Sequence, residues 1–566
     1  VSYTLLGKEV RGRFGFPSGV IATNDDTARW MIEHIPQLGF FTGKSTTIEP
    51  REGYDEDILS QPSPDALWNA VGYANPGLEK MVESFRALRE STPPDVFLLP
   101  QIGESSEESF AHCVAAFDSA GVADGIEINI SCPHVARGGI LIGSDPDSVS
   151  AIVSAARDAT TLPLVVKLNA GVQRLEEVAL AAVEAGADAL SAINTLGGPN
   201  PELTNGFGGL SGPPLFPVTV ATIRRLRNLT AVPIMVMGGI RGAADIRTLD
   251  AIDPTFFYAI GSSLGGLDSV QIQEYFQRLE TDLAGETDSA AELTLDRMLM
   301  EYRPFTVAGV TWYGPDLCRL RFREDLEATT GQFVFLKVGT GMAKPFSVAS
   351  CGDGLELLIR RVGPMTQKAC ELTPNAVVRI RGPYGQPFAF APEREVIFVG
   401  AGCGIAPIHH AARLHPGPKR IIIGTTKAEE LAYLEELQTL GEVAVSTDDG
   451  SAGFRGFVSQ LLEKNLAESP PSGALFYTCG PEVAMREVDR IARQYAAPEE
   501  IHHLVERMTS CGIGICGKCS TPGGERSCVD GPIHTADRFT PGEYTRDKAG
   551  AKIAEVTAGP GSSCDL

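Results

Sequence analysis

The heptapeptide L-P-L-V-V-K-L at residues 162–168 is a short, apolar, β-branched run that ends on a lysine and a leucine. Runs of the same texture recur around it: G-I-E-I-N-I (125–130), A-L-S-A-I-N (189–194), V-P-I-M-V-M-G-G-I (232–240) and F-F-Y-A-I-G (256–261). Amphipathic helical stretches separate them. Strand-then-helix units repeated over residues 1–284 predict a single α/β domain, a (β/α)8 barrel, whose chemistry gathers at the C-terminal ends of its strands. The residues to watch are those that end the strands: Lys44, Asn129, Lys167, Asn194 and the Gly238-Gly239 pair.

Beyond the barrel the texture changes. Residues 285–300 are polar and lack apolar periodicity, which predicts an interdomain linker. Over 301–392, runs such as C-R-L-R-F (318–322), Q-F-V-F-L-K-V (332–338) and V-V-R-I-R-G-P-Y-G (377–385) predict a small antiparallel β-barrel. Over 393–500, strands alternate with helices again, beginning at E-V-I-F-V-G-A-G-C-G-I-A-P-I (395–408). The segment 501–539 then holds S-C-G-I-G-I-C-G-K-C-S-T-P-G-G-E-R-S-C (510–528), with four of the chain's 12 cysteines. Cys511, Cys516 and Cys519 have C-x4-C-x2-C spacing, and Cys528 follows downstream. A glycine-rich loop uses that arrangement to wrap four thiolates around a [2Fe-2S] cluster. Zinc ribbons more often pair two C-x2-C units, and a disulfide framework suits a short secreted chain. The tail, 540–566, is rich in Gly, Pro and charge; it is expected to be loosely ordered, with Cys564 outside the cluster.

Composition sets wider bounds. The chain has 566 residues, 43% hydrophobic, which suits three or four soluble domains. No apolar run is long enough to span a bilayer, and the start V-S-Y-T-L-L-G-K-E-V lacks a signal-peptide core, so a reducing, cytoplasmic setting is expected. A formal charge of -23 disfavours nucleic acid as a partner.

The motifs refine this. Gly400, Gly402 and Gly404 follow a strand and precede a helix, where backbone N–H groups approach a pyrophosphate. T-C-G-P-E-V-A-M (478–485) is a second strand end, contributing Cys479, Gly480 and Pro481, and S-T-D-D-G-S-A-G-F-R-G (446–456) lies between the two in the chain. Together they resemble the NAD-binding half of the ferredoxin reductase superfamily. K-P-F-S-V-A-S (344–350) resembles its flavin motif, with Lys344 in place of the usual arginine and Pro345, Phe346 and Ser347 after it. That exchange keeps the charge and loses the bidentate fork. G-P-M-T (363–366), with Gly363 and Thr366, and G-P-Y-G-Q-P-F (382–388) sit where that superfamily continues its FAD site.

The whole chain resembles the two subunits of the NAD-linked, class 1B dihydroorotate dehydrogenases joined in one polypeptide. The barrel half matches through G-K-S-T-T-I-E-P-R (43–51), N-A-V-G-Y-A-N-P-G (69–77), I-E-I-N-I-S-C-P-H-V (126–135), I-N-T-L-G-G (193–198), G-G-L-S-G-P (208–213) and G-G-I (238–240). The second half matches through V-E-R-M-T-S-C-G-I-G-I-C-G-K-C (505–519). The resemblance implies FMN in the barrel, FAD, a [2Fe-2S] cluster and NAD(H), a small cyclic substrate, no membrane, and a homodimer through the barrel. It implies an FMN site of Ala22, Thr23, Lys44, Ser45, Asn129, Lys167, Ser211, Gly212, Gly238, Gly239, Gly261 and Ser262. Lys167 would place positive charge near the flavin N1/O2 edge. Cys132 would be the base, with Lys44 a candidate for activating its thiol. The substrate set is Lys44, Asn69, Gly72, Tyr73, Asn129, His134, Asn194 and Thr195, with the asparagines as an amide clamp.

Two places depart from the family. The usual N-I-S-C-P-N reads N-I-S-C-P-H here, with His134 last, and the usual G-L-Q-N reads G-Y-A-N, bringing Tyr73 and Ala74. Dihydropyrimidine dehydrogenases also carry a histidine after C-P. The alternatives are therefore an NADH-dependent reductase of a different ring, uracil-like or a secondary metabolite, and an electron carrier or redox sensor with an inactive barrel. G-T-T-K-A-E-E (424–430) lacks an arginine cluster for a 2′-phosphate, which favours NADH over NADPH, although Lys427 lies within it.

Overall fold

The computed structural model of the chain describes residues 3–130, 142–294, 296–543, 545–546 and 552–553. Eight parallel strands make the first domain: β1 (Phe14–Gly15), β2 (Phe40–Thr46), β3 (Phe97–Ile102), β4 (Ile126–Asn129), β5 (Leu164–Leu168), β6 (Ala189–Ala192), β7 (Ile234–Met237) and β8 (Phe257–Ala259). They pair in the order β1-β8-β7-β6-β5-β4-β3-β2. A parallel bridge between Phe14 and Leu38, just before β2, brings the two ends together. Helices on the outside connect the strands, among them α1 (Asp25–His34), α2 (Leu78–Ser91), α3 (Glu107–Ala120), α4 (Pro146–Asp158), α5 (Leu175–Glu184), α6 (Phe216–Leu229), α7 (Ala243–Asp250) and α8 (Ser269–Ala284).

The strands read as unbroken apolar runs because both of their faces are covered. Side chains alternate faces along a strand. In β5, Val165 points into the interior with Phe40, Phe97, Met235 and Phe257, while Leu164 and Val166 pack under the helices. The N-terminal hairpin Tyr3–Leu5 and Lys8–Val10 closes the bottom, with Leu5 and Val10 in the same interior cluster. Two positions above Val165 on the same face is Lys167, so the apolar floor gives way to a polar mouth at the strands' C-terminal ends. A four-stranded antiparallel sheet roofs that mouth, built from Leu59–Ser63 and Ala66–Asn69 after β2 and from Leu196–Pro199 and Phe207–Ser211 after β6.

The segment 285–300 is docked on the barrel. The buried Asp282 carboxylate accepts from Ala290 N at 2.8 Å, and Gln61 Oε1 accepts from Leu299 N at 2.6 Å and Met300 N at 3.1 Å. Six antiparallel strands follow: β9 (Arg303–Tyr313), β10 (Leu317–Phe322), β11 (Phe333–Lys337), β12 (Ala343–Ser347), β13 (Glu356–Arg360) and β14 (Val377–Tyr384), in the order β12-β11-β14-β9-β10-β13.

The nucleotide module is a sheet with the order β18-β17-β16-β15-β19-β20-β21: β15 (Val396–Ala401), β16 (Lys419–Thr425), β17 (Glu442–Thr447), β18 (Phe454–Arg455), β19 (Leu475–Cys479), β20 (Ile501–Leu504) and β21 (Ile533–Thr535). Two sequence expectations change here. Residues 501–504 do not open a separate cluster domain, because β20 pairs with β19 and β21 pairs with β20. The cysteine loop is thus an insertion between the last two strands of this sheet. The tail also holds some order: Thr545–Arg546 pairs with Lys552–Ile553, and Lys552 Nζ reaches Asp25 at 2.7 Å. Among the described residues no helix is long and apolar enough to cross a membrane.

The helix after β15, α9 (Ile405–Leu414), buries His409 and His410. His409 stacks on Tyr433 with ring centroids 4.3 Å apart, and its Nδ1 lies 2.8 Å from Ala349 O of the preceding barrel. Burial lowers both histidines to about 4. Unfolded histidines titrate near ~6.5, so from there down to about 4 the unfolded chain binds protons that the folded chain refuses. Their stabilisation is complete above that window and is lost as pH falls through it, on the order of 1 kcal/mol per pH unit for each. Calorimetry should show the melting temperature of this module falling as pH drops from about 7 to 5. The slope should flatten in a His409→Gln, His410→Gln variant.

Candidate functional site

A cavity of about 180 Å³ fills the barrel mouth. Its base is set by register: Asn129 of β4 lies beside Lys167 of β5, and Lys167 beside Ser191 of β6. Beneath them is Glu127, fully buried, two residues before Asn129 and on the same face. Its carboxylate accepts from Ser191 Oγ at 2.6 Å and from Gln101 Nε2, and sits 4.0 Å from Lys167 Nζ. Gln101 Oε1 in turn accepts from Ser45 Oγ, from Ser18 Oγ at 2.8 Å and from Asn129 Nδ2 at 3.2 Å. Each buried polar group here has a named partner, which holds Lys167, Ser45 and Asn129 in fixed rotamers.

The roof supplies the next layer. Asn69 ends the strand Ala66–Asn69 and donates to Gly209 O at 3.0 Å, so two excursions from distant parts of the chain fix its side chain together. Gly72 and Tyr73 follow, both in the left-handed region (φ 70° and 57°). Asn194 Oδ1 accepts from Thr195 N at 2.9 Å. Opposite them is a candidate phosphate cradle. Gly239 has φ 78°, and a Cβ there would lie 2.5 Å from Phe216 N, so this turn presses against the start of α6 and Gly212 only because it carries no side chain. Gly238, Gly261, Ser262 and Ser211 line the same end of the cavity.

The cavity therefore brings together Lys44, Ser45, Asn69, Gly72, Tyr73, Asn129, Lys167, Asn194, Thr195, Ser211, Gly212, Gly238, Gly239, Gly261 and Ser262. Ala22 and Thr23 are placed elsewhere. Ala22 is core, and Thr23 Oγ1 donates to Cys516 O at 3.2 Å; the lining comes instead from Pro17, Ser18, Gly19 and Val20. Cys132 and His134 lie outside the described residues. Sequence reading missed Gln101 and Glu127. The available signal was a carboxylate inside the apolar run G-I-E-I-N-I, at even spacing from Asn129.

One wall of the cavity is not barrel at all. Ile515 and Cys516 of the cysteine loop line it. The loop docks by backbone, with Ile21 N donating to Ile515 O at 2.8 Å and Gly266 N to Ile513 O at 2.9 Å. Asn24 caps α1 with its oxygen and gives its amide N–H to Gly517 O at 3.2 Å and Ser520 Oγ at 3.0 Å. The buried Arg526 reaches Gly514 O and Leu267 O, at 3.0 and 3.1 Å.

Cys511, Cys516, Cys519 and Cys528 are buried and converge. Their side-chain contacts run in a chain, Cys516 to Cys511 to Cys528 to Cys519, and Gly514 N points at Cys528 Sγ from 3.3 Å. Among the described residues no set of three His, Cys, Asp or Glu surrounds a single ion position. Two linked thiol pairs suit a two-iron cluster better than a mononuclear metal. Contact with Cys511 and burial push the Cys516 thiol well up.

In the second module, a Cβ on Gly404 would lie 2.2 Å from Cys479 O, and one on Gly480 2.7 Å from the Ala401 side chain. The Gly400–Gly404 turn and the Cys479-Gly480-Pro481 strand end thus meet at adjacent strands, while β17, which carries 446–447, lies two strands away on the other side. Lys344, Pro345, Phe346 and Ser347 are half-buried on β12. Thr366 Oγ1 accepts from Gly363 N at 2.9 Å, which shapes the turn into the helix Pro364–Cys370. Arg360, also missed from sequence, pairs with Glu430 at 3.1 Å and touches Cys403.

Residues 1–253 match the dihydroorotate dehydrogenase family profile, and residues 506–540 match the iron-sulfur cluster binding domain of dihydroorotate dehydrogenase B. Over 220 residues the chain is 37% identical to the probable dihydroorotate dehydrogenase B (NAD(+)), electron transfer subunit, of Pyrococcus abyssi, covering 39% of this chain and 84% of that protein. Over 249 residues it is 38% identical to the dihydroorotate dehydrogenase B (NAD(+)), catalytic subunit, of Streptococcus pneumoniae, covering 42% of this chain and 79% of that protein. The chain belongs to the dihydroorotate dehydrogenase B family. Relatives of both subunits lie in one polypeptide, which joins a family barrel to a family electron-transfer module and makes their contact intramolecular.

The seat of the loop is sterically exacting. Gly517 has φ 66°, and a Cβ there would fall 1.9 Å from Thr23 Oγ1. Gly517→Ala should therefore lower both the iron content and the melting temperature of the chain. Adding Thr23→Ala should recover part of the loss, since it removes the clash but not the strained φ; iron assay and calorimetry read both.

Proposed function

We propose that this chain oxidises L-dihydroorotate to orotate and passes the two electrons to NAD+ to give NADH. The observation that carries the reading is the cavity of the barrel mouth, lined by Lys44, Lys167 and convergent amides and closed on one side by the loop of four cysteines. Ser211, Gly212, Gly238, Gly239, Gly261 and Ser262 would hold the FMN phosphate. Lys344 to Ser347 with Gly363 and Thr366 would hold FAD, and Gly400, Gly402, Gly404 and Cys479 to Pro481 the dinucleotide. When bound, the two flavins convert between paired and single electrons and the cluster carries them singly.

The chain's own residues do the rest. Lys167, with Glu127 4.0 Å away beneath it, would place positive charge at the flavin's N1/O2 edge. Lys44 would touch both flavin and substrate and is the candidate for activating the Cys132 thiol. Cys132 would take the C5 proton while the C6 hydrogen would leave with its electron pair for the flavin, which supplies the acceptor when bound. Asn69, Asn129 and Asn194 orient the ring through its imide edge, each with a donor and an acceptor. Tyr73, which lines the cavity, and His134, which lies outside the described residues, are the positions expected to meet the substrate. The reading includes a homodimer through the barrel, which light scattering of the holoprotein checks.

The test is anaerobic stopped-flow absorbance. Mixing the oxidised holoprotein with L-dihydroorotate should bleach the flavin bands, and NAD+ should restore them. Cys132→Ser should slow the bleaching by about 100-fold or more at neutral pH, while NADH still reduces the chain at the original rate. Bleaching by dihydrouracil and not by dihydroorotate would contradict the proposal.

A further inference from the structure

Among the described residues, three buried cations lie within the loop 510–528 or hydrogen-bond to it, and two of them pair with a carboxylate. Arg526 lies 3.3 Å from Asp530, and Lys518 lies 3.6 Å from Glu56. The third is Arg381, near the end of β14 in the flavin-side barrel and 2% exposed. Its guanidinium stacks 3.8 Å from the Phe335 ring centroid. Nη1 donates to Cys511 O and Tyr384 Oη, both at 2.8 Å, Nη2 to Ser510 O at 3.1 Å and Nε to Tyr302 Oη at 3.2 Å. Among the described residues none of its partners is a carboxylate.

A buried guanidinium without a counter-charge is costly, and carbonyl and phenol oxygens offset only part of that cost. Two of its bonds go to the backbone of Ser510 and Cys511, the first of the four cysteines, so its charge sits against the thiolates that would hold the cluster. Tyr384 fits the same geometry. Its hydroxyl donates to Leu299 O at 2.6 Å, which leaves its oxygen to accept from Arg381, and its ring packs where a Cβ on Gly512 would come within 3.0 Å. The cation is thus held rigidly against the first cysteine ligand, with no carboxylate in direct contact among the described residues and Asp57 one hydrogen bond further on, behind Tyr302 and paired with Lys337.

We propose that Arg381 sets the reduction potential of the cluster held by Cys511, Cys516, Cys519 and Cys528, raising it by favouring the more negative reduced form. The inference rests on the cluster assignment under Proposed function. Arg381 is a positioning residue: it touches backbone oxygens of the loop and acts on the metal centre through its charge. It also lies on the flavin-side face of the loop, opposite the face that lines the barrel cavity.

The test is an anaerobic redox titration of the full-length holoprotein, following the cluster by electron paramagnetic resonance. Arg381→Met removes the charge at similar volume. At the wild-type midpoint its ratio of reduced to oxidised cluster should be at least tenfold lower, a fall of ~59 mV or more for one electron. Arg381→Lys keeps the charge without the fork and should retain more than half of that potential. A Met variant with wild-type iron and sulfide content and a ratio within about threefold of wild type would overturn the proposal. So would failure of both variants to hold iron, which would make the residue one that only folds the loop. Absence of iron and sulfide from the wild-type chain would instead overturn the cluster assignment itself, so the two failures are distinguishable.

Discussion

The cysteine loop reaches its seat only because it meets the barrel as bare backbone. Gly512, Gly514 and Gly517 all have positive φ, and a Cβ on any of them would meet Tyr384, Arg526 or Thr23 at 3.0 Å or less. With those side chains absent, the loop's carbonyls take N–H donors from Ile21 and Gly266 and the amide of Asn24. A loop that carries four buried thiols cannot bury them in its own few residues. It borrows the top of the barrel on one side and β14 on the other. Domain order follows from this contact. The loop hangs between β20 and β21 of the nucleotide sheet, and its docking ties that sheet to the barrel through Arg526, Asp530 and Gln386, whose amide bridges Asp268 and Val529.

Charge is managed in the same contact. The barrel mouth collects lysines, which is tolerable because Glu127 lies beneath Lys167 and is itself saturated by Ser191 and Gln101. On the other face of the loop, Arg381 meets carbonyl and phenol oxygens directly, and the Asp57 carboxylate only through Tyr302. One buried cation thus faces a carboxylate at 4.0 Å and the other faces the loop's backbone.

The barrel was legible in sequence because its strands are covered on both faces and so read as unbroken apolar runs. The cluster ligands were legible because four thiolates around a small centre impose a spacing on the chain. Less local features were hidden. Gln101 and Glu127 matter through neighbours 26 residues and more away, and pairing across strands leaves no mark on either segment. Ala22 and Thr23 fell in the expected flavin loop, yet that loop turns three residues earlier and gives these two to the cysteine loop. β20 and β21 are short and carry His502, His503 and His534, so they read as polar connection until His503 is seen bonded to Asp489 at 3.1 Å. Arg381 belonged to a recognisable R-G-P-Y-G turn, and nothing in that motif says its cation would be buried. Cys132, the expected base, and His134, which with Tyr73 and Ala74 bears on ring choice, lie outside the described residues.

The central claim is that the two halves of this chain form one intramolecular electron path through the docked loop. The most direct test is a double-mixing experiment: reduce the holoprotein with one equivalent of L-dihydroorotate, add NAD+, and follow NADH formation while the protein concentration is varied a hundredfold. A first-order rate independent of dilution is the predicted result. A rate that falls in proportion to concentration, or a chain that its substrate reduces but NAD+ does not reoxidise, would contradict it.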